Sequence, residues 1–213
     1  MNLIARVLHL FGANVPEFLE YPRLIINEDG WLEGDGVVHV KSHPSWFYPK
    51  LSTSTGAPIA IVTHCSDTLH GTADVMAAKR TKPRRPRLPE HKDEDVGIKF
   101  DRTASWHVSI EEQLITQMIS FEAGAWHGVG VIPGVGACNR SAVGIEFIGK
   151  PKGPWLPGQI INGCRVYRAL AQSYGIKRAN AMIAHSSFEK KRSDPGVPFM
   201  KDHAKLILDY AFA

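Results

Sequence analysis

The chain has 213 residues, of which 44% are hydrophobic and 22% are charged, values that are ordinary for a globular protein with a proper core. No apolar run approaches the roughly 18 residues that a membrane span needs, so we expect no such span. The three cysteines, Cys65, Cys138 and Cys164, are odd in number and far apart. This pattern excludes a disulfide framework and a zinc finger, and it suits synthesis in a reducing compartment.

The net charge of +4 comes from one segment of the chain. Residues 79–87 (KRTKPRRPR) hold six of the 25 basic residues, so the rest of the chain carries 19 basic against 21 acidic residues. This segment could anchor the protein to an anionic envelope polymer, such as teichoic acid or lipopolysaccharide. A solvated run of charge explains it equally well. We do not expect nucleic acid as a partner.

The N-terminal residues 1–29 are predicted to be an extension outside the main domain. Apolar residues recur at helical spacing within residues 1–11, which predicts a docked helix. The segment lacks a small-residue cleavage site, so we do not interpret it as a signal peptide and expect synthesis in the cytoplasm.

From residue 30 onward, predicted strands and helices alternate along the chain. The strands are predicted at 37–40, 58–64, 142–148 and 181–184, a hairpin at 105–110 and 113–119, and the helices at 158–174 and 199–211. Residues 66–100 hold a weak helix at 73–79 and then a basic and an acidic block, which predicts a long exposed insertion. The alternation predicts an α/β fold, in which residues 30–213 form a single domain with a central mixed β-sheet flanked by helices.

Glu146 lies inside the apolar run AVGIEFI at 142–148. Burying an unpaired charge costs several kcal/mol, so a carboxylate in such a run is usually paired, protonated or functional. The alternative is a strand residue that faces solvent on the alternate face, with Gly144 beside it. The spacing alone favours neither interpretation.

Two histidines, His64 and His185, each end a predicted apolar strand. The carboxyl ends of strands in open α/β sheets converge on the ligand crevice. Asp194 follows His185 in a basic loop, and Pro195 restricts it to extended geometry. Two imidazoles and one carboxylate would give three protein ligands with a fourth position open, as in catalytic zinc sites. The alternative is two ordinary, partly buried histidines.

Five motifs in order carry a family resemblance. They are the strand-ending His64, SWH at 105–107 followed by AWHG at 125–128, CNRSAVGIE at 138–146, and His185 followed nine residues later by the DPG of 194–196. Together they resemble the zinc N-acetylmuramoyl-L-alanine amidases, in particular the branch that includes the cytosolic anhydro-muropeptide amidase, phage T7 lysozyme and the peptidoglycan-recognition proteins. The resemblance runs from about residue 30 to 205, interrupted by residues 66–100.

The resemblance implies this fold, a substrate and a set of site residues. The substrate would be peptidoglycan or a muropeptide, cut at the amide bond between N-acetylmuramic acid and L-alanine. Glu146 would be the general base for the attacking water, and Arg192 would stabilise the oxyanion, at a position where the family usually has lysine. The Zn²⁺ ligands would be His64, His185 and Asp194, and Trp126 and His127 would line the substrate groove.

Departures from the family pattern leave a rival open. Trp106 stands where some members have a catalytic tyrosine, which places proton transfer on Glu146. Residues 187–189 are Ser-Phe-Glu, where relatives have Asp-Ile-Ala. The rival is a peptidoglycan-binding module without catalysis, but such members typically lose a zinc ligand and all three candidates are present here. The enzyme could act in the cytoplasm, or on the cell wall after release or secretion.

Overall fold

The computed structural model describes residues 22–69, 71–82 and 104–213. A six-stranded mixed sheet forms its centre. From one edge to the other its strands are β12 (Ile183–Ala184), β5 (Ala60–Cys65), β11 (Ala142–Phe147), β6 (Val108–Ile110), β7 (Ile115–Gln117) and β3 (Val37–His39). The first four strands are parallel, β7 runs antiparallel to β6, and β3 is parallel to β7. The predicted hairpin and α/β fold with a mixed sheet are confirmed.

Shorter elements surround this sheet. Three two-stranded ribbons form from β1 (Ile25–Ile26) with β2 (Leu32–Glu33), β4 (Phe47–Tyr48) with β8 (Gly124–Ala125), and β9 (Val131–Ile132) with β10 (Gly136–Ala137). The α-helices of the described residues are α1 (Ala73–Ala78), α2 (Cys138–Ser141), α3 (Pro157–Tyr174), α4 (Val197–Asp202) and α5 (Ala204–Ala211). None of the helices in these ranges combines the length and the hydropathy needed to cross a bilayer.

The long helix α3 covers one face of the sheet, and the candidate site lies on the other. Side chains alternate between the two faces along a strand. In β11, Val143, Ile145 and Phe147 join the core cluster that α3 completes. Glu146 therefore points to the opposite face, and so does His64, its register partner in β5.

Two predicted helices can be compared with their bounds. The helix expected at 158–174 is α3, and it ends at Gly175, whose left-handed φ of 61° glycine adopts without steric cost. The single helix expected at 199–211 is instead two helices, α4 and α5. They meet at His203, where a φ of −119° departs from helical geometry.

The predicted domain boundary at residue 30 falls inside the β1–β2 ribbon. Leu24 is buried in the main core, and the Arg165 guanidinium donates to the carbonyl oxygen of Pro22 at 3.1 Å. Residues 22–29 therefore pack with the domain. The helix predicted within residues 1–11 lies outside the described residues.

The prediction that residues 66–100 form an exposed insertion is wrong for its first part. Ala73 and Ala77 of α1 are fully buried, because this helix packs on the sheet beside β7. Arg80 is only 6% exposed; its Nε and Nη2 donate to the carbonyl oxygen of Ala104, and its guanidinium lies 4.0 Å from the centre of the Trp106 ring. Arg80 thus does not belong to an exposed basic surface, and residues 83–103 lie outside the described part of the chain.

Candidate metal centre and cleft

The three predicted ligands meet at the carboxyl edge of the parallel strands. His64 is the penultimate residue of β5, and His185 follows the last residue of β12 and begins a short 3-10 turn. Asp194 reaches them from the loop that precedes α4. One ligand atom from each residue lies within 4.8 Å of the other two. The structure therefore brings together residues that are far apart in the sequence.

A single carboxylate oxygen faces both imidazoles. Asp194 Oδ2 lies 3.0 Å from His64 Nδ1 and 3.0 Å from His185 Nδ1, and the two ring centres are 4.6 Å apart. Burial alone would raise the pKa of Asp194, but the contacts with His185 and His64, whose Nδ1 atoms donate to the carboxylate when they are protonated, outweigh it and lower the pKa below its usual range. The carboxylate is therefore ionised at neutral pH.

The hydrogen bonds of His127 determine which nitrogen of His64 carries the proton. His127 Nε2 lies 3.1 Å from the carbonyl oxygen of Ala142, which can only accept, so this nitrogen is the donor. Burial, followed by the charge of His64, lowers the pKa of His127 well below 6.5, so the ring is neutral and its Nδ1 accepts. His64 Nε2, at 3.1 Å from that Nδ1, must then donate. In neutral His64, the Nδ1 lone pair is left facing Asp194.

His185 reaches the same tautomer through a different partner. Its Nε2 lies 2.7 Å from Glu189 Oε2. Burial would raise the pKa of Glu189, but the hydrogen bond from His185 outweighs it, so the carboxylate is ionised and accepts. With the proton of neutral His185 on Nε2, its Nδ1 lone pair also faces Asp194.

This donor set fits a metal ion. Two imidazole lone pairs and an ionised carboxylate oxygen point at one position, where they repel each other unless a cation or a proton lies between them. Zinc binds histidine nitrogen at about 2.0–2.1 Å and carboxylate oxygen at about 2.0–2.2 Å in tetrahedral geometry, which needs ligand atoms separated by roughly 3.3 Å. The 3.0 Å separations between Asp194 Oδ2 and the two Nδ1 atoms are close to that value. His64, His185 and Asp194 are therefore suited to hold Zn²⁺.

His127 lies in a tight, buried position behind His64. Its backbone N–H donates to Asn139 Oδ1 at 2.7 Å, and the N–H of Gly128 donates to the same oxygen at 2.8 Å. A Cβ on Gly144 would lie 2.6 Å from the His127 ring, so only glycine leaves room for it. His127 is 6% exposed and lines the inner end of the cleft. Its hydrogen bond to His64 is a role that the AWHG motif alone did not indicate.

Glu146 lies beside His64 on the neighbouring strand and lines a cleft of about 250 Å³. It is 7% exposed, which excludes the solvent-facing alternative. Burial, followed by the charge of Asp194, raises the pKa of Glu146 to about 8, and Arg80 and Arg192 oppose this shift. A carboxyl with such a pKa in a cleft is typical of a general acid or base.

The remaining predicted residues occupy different parts of the cleft. Arg192 lines it from the loop, and its Nε donates to Glu189 Oε1 at 3.3 Å. Trp106 also lines it, but its indole N–H donates to Ser109 Oγ at 2.7 Å. Trp126 stacks on Tyr48 with ring centres 4.5 Å apart and is not among the described residues that line the cleft. Its role in substrate binding stays a prediction.

Comparison with known proteins agrees with this site. The model of the N-acetylmuramoyl-L-alanine amidase family matches residues 54–197, which include all three candidate metal ligands and Glu146. The chain therefore belongs to this family, and the resemblance inferred from the motifs is confirmed.

The proteins that are similar to the chain include a curated relative and the following two solved structures. The 1,6-anhydro-N-acetylmuramyl-L-alanine amidase AmpD of Haemophilus influenzae is 31% identical over 103 residues, which are 47% of this chain and 56% of that protein. The match thus spans little more than half of the relative. A selenomethionine derivative of AmpD covers 84% of this chain and 97% of its own, at 24% identity and a TM-score of 0.63. A mutant endolysin from Bacillus subtilis covers 84% and 99%, at 18% identity and a TM-score of 0.59. The two structures show the same fold.

Proposed function

We propose that the protein is a zinc-dependent N-acetylmuramoyl-L-alanine amidase that hydrolyses the amide bond between N-acetylmuramic acid and L-alanine. The observation that carries the proposal is the convergence of the His64 and His185 Nδ1 atoms on Asp194 Oδ2, next to the buried carboxyl of Glu146. Membership of the family supports the same reaction.

Each residue of the site has a distinct role in this reaction. Zinc held by His64, His185 and Asp194 would supply Lewis acidity, which lowers the pKa of water toward 7 and polarises the amide carbonyl. Glu146 takes a proton from the attacking water and returns it to the leaving amine. Burial keeps the pKa of Glu146 at about 8, and a divalent cation nearby lowers it, so the carboxylate is available as a base when metal is bound.

Arg192 and Trp106, which also line the cleft, have different roles beside Glu146. Arg192 supplies a fixed positive charge for the developing oxyanion, because its guanidinium stays protonated throughout the reaction. Trp106 has no hydroxyl, and its N–H is used by Ser109. Proton transfer in this cleft therefore depends on Glu146.

The substrate is either intact peptidoglycan or a soluble muropeptide, which share the scissile amide. The relative from Haemophilus influenzae is named for a 1,6-anhydro substrate, whereas the Bacillus subtilis structure is an endolysin. Mass spectrometry of the products from sacculi and from soluble anhydro-muropeptides, side by side, would separate the two.

The proposal is tested by metal analysis and by Glu146→Gln. Purified protein should hold one zinc per chain, and chelation should abolish release of stem peptides. Glu146→Gln should lower kcat by about 10²–10⁴-fold, because it removes the base and keeps the shape of the side chain. Binding of peptidoglycan without any hydrolysis by the zinc-loaded protein would identify the rival binding module instead. Full activity of both the chelated protein and the Gln variant would refute the mechanism.

A further inference from the structure

We propose that Glu189 is a positioning residue that acts through His185 and sets the affinity of the metal centre. The inference rests on the proposed zinc site. It concerns a residue at which the chain departs from the family pattern, where relatives have alanine. Neither the motif set nor the family resemblance gives this residue a role.

Three hydrogen bonds place the Glu189 carboxylate behind the metal centre. Oε2 accepts from His185 Nε2 at 2.7 Å and from the backbone N–H of Val129 at 3.1 Å. Oε1 accepts from Arg192 Nε at 3.3 Å. One side chain therefore connects a candidate ligand, the Arg192 guanidinium and the loop that precedes β9.

Local backbone geometry brings Glu189 to this position. His185 begins a 3-10 turn, and the backbone N–H of Glu189 donates to the His185 carbonyl oxygen at 3.2 Å. Residues four apart in a helical turn lie on the same side, so the carboxylate folds back onto the imidazole. The contact between Glu189 and His185 is therefore made within one turn, and the N–H of Val129 adds support from a distant part of the chain.

Glu189 contacts the nitrogen of His185 that is not available to the metal. Nδ1 faces Asp194, whereas Nε2, on the other side of the ring, faces Glu189. The carboxylate thus acts on the metal only through the ring. It holds the proton on Nε2, fixes the rotation of the ring and makes Nδ1 a stronger donor, as carboxylate partners of metal-bound histidines generally do.

The test measures zinc affinity of the full chain without substrate, by competition with a chromophoric chelator. Loss of such a partner typically costs 10–100-fold in metal affinity, so we expect Glu189→Ala to weaken zinc binding by about that factor. Glu189→Gln keeps an acceptor but loses the charge, so its loss should be smaller. Asp209→Asn is the matched control, because Asp209 is an acid on α5 that pairs with Arg178 and Lys205. This control should bind zinc like the wild type.

A second measurement separates positioning from direct ligation. Cobalt-substituted Glu189→Ala should keep the visible absorption of the wild-type cobalt protein, because the three ligands are unchanged. A changed coordination number would overturn the inference, since Glu189 would then be a ligand itself. Wild-type zinc affinity in both the Ala and the Gln variants would overturn it as well.

These outcomes are independent of the proposed activity. A protein that binds zinc tightly, loses affinity on Glu189→Ala and hydrolyses no muropeptide would refute the amidase function and support the role of Glu189. Hydrolysis of muropeptides together with unchanged zinc affinity in the Glu189 variants would support the amidase function and refute the role of Glu189. Failure of the wild type to bind zinc would overturn both.

Discussion

The two candidate imidazole ligands are held in different ways. His64 belongs to β5, a six-residue strand that is buried throughout, and its partner His127 is anchored to the backbone carbonyl of Ala142. His185 follows β12, a two-residue strand at the edge of the sheet, and its partner Glu189 has a side chain that is 23% exposed. One ligand is supported by the core of the protein and the other by a surface loop.

Because of this difference, changes near the two histidines should affect protein stability and metal affinity to different degrees. Behind His64, the rings of His107 and His127 form a buried series with centres 5.8 Å apart, and neutral hydrogen bonds to the backbone satisfy them. A change there alters packing and the metal site together. On the side of His185, support comes from a hydrogen bond to a partly exposed carboxylate, so a change should alter metal affinity with little effect on the fold.

The largest expected effect that sharpens this comparison is that of His127→Ala. It should lower the free energy of unfolding of the metal-free protein by about 3 kcal/mol, because it removes a buried ring and leaves a cavity. It should also weaken zinc binding by about 10–100-fold, because His64 loses the partner that fixes its tautomer. Urea denaturation and chelator competition measure the two effects. Glu189→Ala should change the unfolding free energy by only about 1 kcal/mol. An equal loss of unfolding free energy in the two variants would contradict the comparison.

The second prediction concerns the pH dependence of stability. Burial lowers the pKa of His107 from 6.5 to about 4, although its hydrogen bonds to Ala123 and Gly144 oppose the shift. Below pH 6.5, His107 is protonated in the unfolded chain, whereas in the folded protein it stays neutral down to about pH 4. The group therefore stabilises the fold above pH 6.5, and about 3 kcal/mol of that stability is lost as the pH falls to 4. Urea denaturation of metal-free His107→Gln should show a shallower decline over this range, and an unchanged slope would contradict the assignment.

Of the changes in the buried region around His107 and His127, Gly144→Ala is expected to have the smallest effect. The added methyl group would lie 2.6 Å from the His127 ring, so it should cost about 1–3 kcal/mol of stability by overpacking. The double variant Gly144→Ala, His127→Ala is the matched control. Because the contact with Cγ is absent there and only the Cβ of residue 127 remains, at 2.9 Å, the cost of the two changes should be less than their sum. Additive costs would mean that the clash comes from this Cβ and not from the ring.

The sequence predicted those parts of the fold that depend on local patterns. Helical spacing that ended at Gly175 predicted α3, and strand-ending histidines predicted the edge of the sheet where His64 and His185 meet. Register between strands was not accessible in this way. That Glu146 lies beside His64, and not on a solvated face, depends on the pairing of β5 with β11.

The burial of Arg80 and the hydrogen bond of His127 depend on contacts between residues that are distant in sequence, and the composition of a segment does not indicate such contacts. The basic run at 79–87 suggested solvated charge, but Arg80 is buried against Trp106, a residue distant in sequence. The resemblance placed His127 in the groove, which it lines, but its motif gave no indication that the ring also accepts a hydrogen bond from His64. Glu189, in contrast, could have been found, because an acid four residues after a candidate ligand lies on the same side of a turn.

The contacts of Arg80 also bear on how Trp106 is held in the wall of the cleft. Arg80 donates to the Ala104 carbonyl oxygen, and the Trp46 indole N–H donates to that of Lys82 at 2.7 Å, so Lys82 and Ala104 are anchored at neighbouring points. The Arg80 guanidinium also lies against the Trp106 ring, and its charge lowers the pKa of Glu146. A substitution of Arg80 should therefore reach the chemistry of the cleft, although this residue is no part of the metal-ligand set.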